Sequence, residues 1–429
     1  KATALGLEVL RSEPKRANTI FYHFSRMLEK EASANYIQTQ TLSYIQKYPN
    51  VPAYSELLLN IYLEQKKYRA AFGQARAMDL RLNENGRRLL SLAKTCINNE
   101  AYDVAADCYQ NLIDRGPNTL YYIDGRVGLL NARYLMVNND PNSSLDVLKT
   151  LIVSYEAFLG DYGYSKASSS AMRRLAELYL FHTYETEKGI SILNELIQIR
   201  NLGSTFLGEA KLLLGDAYLI KGDIWEAKLL YGQVDKDFKE DPLGQEAKFR
   251  NARLSYFNAE FDWANDQLDI LKTATSQLIA NNALDLALLI QDNAGLDSNY
   301  DAMREYAHAE FLLFQNKTKA CLDVLDALPF QFPNHSLSDE LLFLKARVME
   351  KEKRFEEALQ YYERVYMDYS QDILADNALF KAAYIQEHIM QNPATAMQLY
   401  EKLILDYNSS LYVVESRKKY QSLKDKIIQ

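Results

Sequence analysis

A pattern of small and aromatic residues returns along this chain at an interval of about 34, with units starting near residues 18, 52 and 86. The second unit carries Leu59, Tyr62, Tyr68, Ala71 and Ala75; the third repeats the order with Ala93, Cys96, Tyr102, Ala105 and Tyr109 and closes with Pro117. The first is weaker, with Ser25, Leu28, Ile37 and Thr41, but its closing Pro49 is in register. The most regular unit is Leu214-Gly-Asp-Ala-Tyr218 followed by Gly222, Ala227 and Tyr231. Ala252, Phe261, Ala264 and Leu268 mark another, then His308, Phe311, Ala320 and Val324, then Ala346, Met349, Phe355, Ala358 and Tyr362, and last Ala383, Ala396 and Tyr400. A unit this short cannot bury its own apolar face, so successive units must stack. Small side chains let two helices cross closely while larger ones fill the groove to the next pair. On this reading Gly215 faces Ala227 at the tightest crossing and Gly222 permits the turn. About nine pairs are expected, two of them degenerate between residues 120 and 205, where Asn138 to Asn142 and Gly160 to Ser170 lengthen the period.

Composition agrees with helix pairs. The 429 residues hold only 16 Gly and 9 Pro, too few for the turns of a many-stranded sheet. The 48% apolar and 25% charged content excludes a disordered chain. Tyr occurs 31 times, and a ring with a polar tip suits half-buried helix faces. Lys and Arg number 49 against 57 acids, a net charge of −8, so the electrostatic footprint of a nucleic-acid partner is missing. The densest apolar run, Ala283 to Ile290, is too short to span a bilayer and contains Asp285. Cys96, Cys108 and Cys321 lack metal or redox spacing and read as buried free thiols.

The recurrent residues resemble those of tetratricopeptide repeat proteins over nearly the whole chain. The resemblance implies an all-α fold, a right-handed superhelical solenoid of helix-turn-helix pairs. Three stretches have a narrower likeness: Tyr366-Met-Asp-Tyr-Ser370 leading to Ala375-Asp-Asn-Ala-Leu-Phe380, Tyr407 to Tyr412 leading to Glu415-Ser-Arg417, and Phe238-Lys-Glu-Asp-Pro242 leading to Glu246-Ala247. These look like the repeats of bacterial envelope proteins that serve outer-membrane β-barrel assembly and the Tol-Pal system. Residues 3 to 14 read as the second helix of a pair whose first helix precedes the chain. The resemblance therefore leaves room for a leader or lipid anchor upstream.

Chemistry-bearing motifs are missing from the sequence. The five histidines, His23, His182, His308, His335 and His388, are widely separated and none has metal-ligand spacing. There is no phosphate-binding glycine loop and no Gly-x-Ser-x-Gly elbow. The acids of Asp292 to Asn299 do not follow the alternate spacing of a calcium loop, so the segment reads as a connection. A non-enzymatic chain with no cofactor and no metal is expected.

What remains is surface. In a superhelix the first helix of each pair lines the inner wall, and the residue after its small contact residue points inward. That position holds Asn60, Lys94, Asp216, Arg253, Arg347 and Tyr384; the residue four earlier is Glu56, Leu90, Leu212, Phe249, Phe343 and Phe380. Phe249, Arg253, Phe343, Arg347, Phe380 and Tyr384 are accordingly the expected partner-binding residues, on one continuous wall suited to a peptide with apolar and acidic groups. The Lys-and-Asn clamp of chaperone-binding tetratricopeptide domains is not matched, because its slots hold Glu56 with Asn60 and Leu90 with Lys94. The expected organisation is an N-terminal superhelix over 1–280, an irregular helix and loop over 281–300, further units over 301–410 and a capping helix over 411–429. The function this implies is a protein-protein interaction scaffold that binds peptide segments or complex subunits, periplasmic and outer-membrane-associated by resemblance. The alternative is a cytoplasmic peptide-binding regulator.

Overall fold

The computed structural model describes residues 2–140, 143–239, 241–293, 300–333 and 335–428. Most of Asp292 to Asn299, read above as a connection, lies outside the described residues. The described chain is all-helical. It divides into two compact units, Lys1–Arg174 and Leu175–Gln429.

The first unit begins with α1 (Ala2–Ser12) and continues through α2 (Ala17–Leu28) and α3 (Glu31–Lys47), α4 (Pro52–Glu64) and α5 (Tyr68–Leu82), α6 (Arg87–Asn98) and α7 (Tyr102–Ile113), α8 (Tyr122–Asn138) and α9 (Leu145–Tyr162). α10 (Ser169–Phe181) carries the boundary and pairs with α11 (Thr186–Ile197). The second unit then holds α12 (Ser204–Lys221) and α13 (Ile224–Asp237), α14 (Pro242–Phe257) and α15 (Phe261–Leu271), and an additional helix α16 (Gln277–Asn293). It ends with α17 (Asp301–Phe314) and α18 (Thr318–Gln331), α19 (Ser338–Lys351) and α20 (Phe355–Asp368), α21 (Ala375–His388) and α22 (Pro393–Asp406), and α23 (Val413–Ile428). Ten pairs are described, one more than the period suggests, with α1, α16 and α23 outside the pairing. Within each unit, almost every extensive contact joins helices adjacent in the chain.

The turn inside a pair is a repeated device. Lys66, Glu100, Ala259, Asn316 and Lys353 all have φ between 55° and 61°, and Gly222 has φ 102°. Each sits just past a first helix, where a left-handed residue lets the last carbonyls find donors. The following amide reaches back five residues: Lys67 to the Tyr62 carbonyl at 2.8 Å, Ala101 to Cys96 at 2.9 Å, Lys317 to Leu312 at 2.8 Å and Arg354 to Met349 at 2.9 Å. A non-glycine residue costs about 1 kcal/mol in this conformation. The chain accepts that cost in most pairs because the turn sets the spacing of the two helices.

The tight crossing of α12 and α13 is built differently from the expectation. A Cβ placed on Gly215 would lie 2.4 Å from Cε1 of Tyr231, so the partner of this glycine is the tyrosine ring, one turn beyond Ala227. Ala227 is fully buried in the same interface. The Tyr231 hydroxyl donates to Asp216 Oδ1 at 2.6 Å, and Arg250 Nη1 reaches Asp216 Oδ2 at 2.5 Å. Other second-helix tyrosines repeat the arrangement, Tyr362 donating to Glu350 and Tyr400 to Glu387. Three second-helix tyrosines therefore have buried rings whose hydroxyls are satisfied by acids of the preceding first helix.

In the second unit one apolar cluster runs from Phe249 to Val413 and includes Ile279, Ala283, Ala287 and Ile290 of α16. Residues 281–293 thus belong to a packed helix, α16, that contributes to a shared core. Cys96, Cys108 and Cys321 are buried free thiols, and no described helix is long and apolar enough to cross a membrane.

Candidate functional site

The first helices α14, α17 and α19, together with α16, line an open cavity of about 860 Å³ within the second unit. α14 supplies Phe249, Arg253, Tyr256 and Phe257; α17 supplies Tyr306, Glu310, Leu313 and Phe314; α19 supplies Glu340, Phe343, Arg347, Glu350 and Lys351. Leu286 and Leu289 of α16 line another side, and Lys381 of α21 reaches in. Apolar and aromatic walls with a few convergent polar groups are the usual makeup of a ligand site.

The charges divide into satisfied and unsatisfied groups. Glu310 is saturated: Arg347 donates to one carboxylate oxygen at 2.8 Å and the Tyr256 hydroxyl to the other at 2.9 Å. Burial drives the Tyr256 hydroxyl well above its ordinary pKa, and the Glu310 charge adds to the shift. Glu350 accepts from the Tyr362 hydroxyl. Lys351 donates to the Leu313 carbonyl at 2.8 Å and lies 5.6 Å from the Tyr184 ring centroid. Burial, reinforced by Arg347, lowers its amine pKa.

Arg253 has no such partner. Its guanidinium stacks 5.0 Å from the Phe314 centroid and 5.9 Å from that of Phe257, yet no carboxylate among the described residues pairs with it and its buried Nε has no hydrogen-bond partner. A desolvated donor without an acceptor costs about 1–3 kcal/mol. Such a group in a cavity wall points to a ligand that brings the acceptor.

Of the six residues expected on one wall, Phe249, Arg253, Phe343 and Arg347 line this cavity. Phe249 and Phe343 are largely buried, the latter 5.3 Å edge-on from Tyr362. The remaining two lie elsewhere. Phe380 stacks on Tyr412 at 4.6 Å, and Tyr384, 39% exposed, sits 4.4 Å from the His388 ring. Sequence reasoning missed Tyr256, Glu310 and Lys351, which fall one turn from the positions it chose or on the facing helix. It also missed the α16 leucines, which belong to no repeat.

The helix pairs are tetratricopeptide-like. No family model matches the chain, and no curated protein matches it. Among solved structures it is similar to a tetratricopeptide repeat protein from Parabacteroides merdae, at 12% identity over 66% of this chain and 92% of that chain, with a TM-score of 0.37. A Rap protein complexed with competence and sporulation factor is 14% identical over 89% of this chain and 98% of that chain, with a TM-score of 0.37. The tetratricopeptide domain of P58(IPK) is 13% identical over 95% and 98%, with a TM-score of 0.25. Scores at this level do not superpose two chains along their length, so the functional reading depends on the residues of this chain.

Proposed function

We propose that this chain is a non-enzymatic interaction scaffold whose second unit holds an extended protein segment carrying apolar and acidic side chains. The observation that carries the reading is the unpartnered Arg253 guanidinium, set against the adjoining rings of Phe257 and Phe314 in a largely apolar cavity. An incoming carboxylate would accept from two N–H groups along one edge of a planar donor already oriented by the rings, while aromatic or aliphatic neighbours fill the space beside Leu286 and Leu289. We further propose, on the likeness of the Tyr366 to Phe380 and Tyr407 to Arg417 stretches to envelope repeats, that the scaffold works in the periplasm as a subunit of an outer-membrane assembly or secretion complex. Fractionation of cells expressing the full-length gene tests that placement: recovery in the cytoplasm supports a peptide-responsive regulator instead.

The binding reading is tested with fluorescein-labelled poly(Glu,Tyr), a random copolymer that supplies carboxylates and aromatic rings. Saturable binding by fluorescence anisotropy is expected, weakened at least about tenfold by Arg253→Glu. Arg347 is not an equivalent site for charge reversal. Arg347→Glu would set a second carboxylate against Glu310 and threaten the fold. Equal binding by a folded Arg253→Glu protein would refute the proposal.

A further inference from the structure

A second group in the same cavity is short of a partner, and its sign is opposite. Glu340 lines the cavity and is 9% exposed. Its Oε1 accepts from Asn293 Nδ2 at 2.8 Å, and its buried Oε2 meets no N–H or hydroxyl donor, only the carboxyl of Asp339, with which it can share a proton. Asp339, the preceding residue, is also buried, and its carboxyl stands beside that of Glu340. No Lys or Arg among the described residues forms an ion pair with either acid. Two adjacent buried carboxyls without a counter-ion are costly, because each desolvated charge needs a partner.

We propose that Glu340, backed by Asp339, is a cation-accepting subsite of the cavity, taking the ammonium or guanidinium group of a Lys or Arg side chain on the bound segment. The inference rests on the reading that a protein segment occupies the cavity, and it adds a requirement: the segment presents an acid to Arg253 and a base to Glu340. Until a cation binds, a proton takes its place on Glu340. Burial, then the neighbouring Asp339, push Glu340 up to about 8. Lys381 of α21 lines the same cavity but forms no ion pair with either acid, and the groups that touch this corner carry no positive charge. They are Tyr306 of α17, whose hydroxyl donates to the Glu340 carbonyl at 3.4 Å, and Asp372 ahead of α21, raised by burial and by Asp339. Asp285 of α16 lines the same cavity, and Arg347 on α19 is already held by Glu310.

The test uses labelled poly(Glu,Lys,Tyr), the same polymer with its lysines acetylated, and poly(Glu,Tyr), titrated into the intact chain and into Glu340→Gln. Gln keeps the shape of the side chain and an oxygen for Asn293, so the variant should fold. Acetylation should weaken binding to the unmodified protein by about tenfold, whereas Glu340→Gln should bind both forms alike. The preference should also grow between pH 6 and pH 8, since the proton must leave before a cation enters, and should stay flat in Glu340→Gln. Free 1,5-diaminopentane in excess should leave binding unchanged if the cation must belong to a segment; competition would show that a free amine suffices. Indifference of the unmodified protein to acetylation, or full preference retained by Glu340→Gln, would overturn the subsite. If poly(Glu,Tyr) fails to bind while the lysine preference persists and depends on Glu340, the acid-binding reading falls and the cation subsite stands. If no copolymer binds, both fall.

Discussion

Replacing Gly215 by Ala tests how α12 meets α13. In an open helix the change stabilises by about 1 kcal/mol, because Ala loses less backbone entropy than Gly. At this position the new methyl would lie 2.4 Å from Cε1, 2.9 Å from Cδ1 and 3.1 Å from Cζ of Tyr231. The ring cannot give way freely: Tyr231 is fully buried and tethered through its hydroxyl to Asp216, which in turn holds Arg250. Overpacking costs about 1–3 kcal/mol, and losing the tyrosine-to-aspartate bond leaves a buried acceptor short by about 1–3 kcal/mol more. Against the propensity gain, the net is about 1–5 kcal/mol of destabilisation. Gly232→Ala is the matched control, since nothing lies within 4 Å of its added Cβ, and it should stabilise by about 1 kcal/mol. Urea unfolding followed by circular dichroism measures both. Because stacked repeats can unfold in stages, hydrogen exchange across α12 and α13 should accompany it. A Gly215→Ala protein as stable as the unmodified chain, with exchange in α13 unchanged, would refute this account of the crossing.

Ala227→Leu should also overpack the α12–α13 interface, costing about 1–3 kcal/mol in the same urea assay. The three thiols should resist a maleimide in the native protein and react fully in denaturant, since all are buried and burial pushes Cys96 up to about 11 and Cys321 up to about 12. Stability should depend on pH through Glu340. Unfolded, this carboxyl loses its proton near 4.5; folded, it keeps it to about 8, so the unfolded state binds fewer protons between those values and stability falls as pH rises through that window. Urea midpoints at pH 5.5 and 7.5 should show that fall for the unmodified protein and a shallower one for Glu340→Gln.

The repeat was legible because its signal is local: small residues at helical spacing, a turn and a tyrosine recur wherever two helices must cross closely. The pairing of Tyr62, Ala71 and Ala75, or of Met349, Ala358 and Tyr362, needed no knowledge of distant contacts. The inward position of Arg253 and Arg347 was legible for the same reason. The facing residue of Gly215 was not, because a one-turn difference between Ala227 and Tyr231 depends on the crossing angle, which spacing alone does not specify. Nor could spacing separate Arg347, neutralised by Glu310 across the groove, from Arg253, which has no such neighbour. The role of α16 was hidden for a further reason: its Leu286 and Leu289 follow no repeat, and only the folded chain brings them opposite α14.

That additional helix has a consequence for the order of assembly. Most contacts in the second unit join consecutive helices, so its pairs can zip up from local nuclei in any sequence. The contact of α14 with α17 is different, since it skips over α15 and α16 and must close a long loop before it is rewarded. Docking of α16 on α14 and α15 shortens that search by holding the intervening chain in place. The cavity, bounded by α14, α16, α17 and α19, is therefore completed late in folding: loosening α16 withdraws Leu286, Leu289 and Asn293 together and opens the core that the flanking pairs share with it.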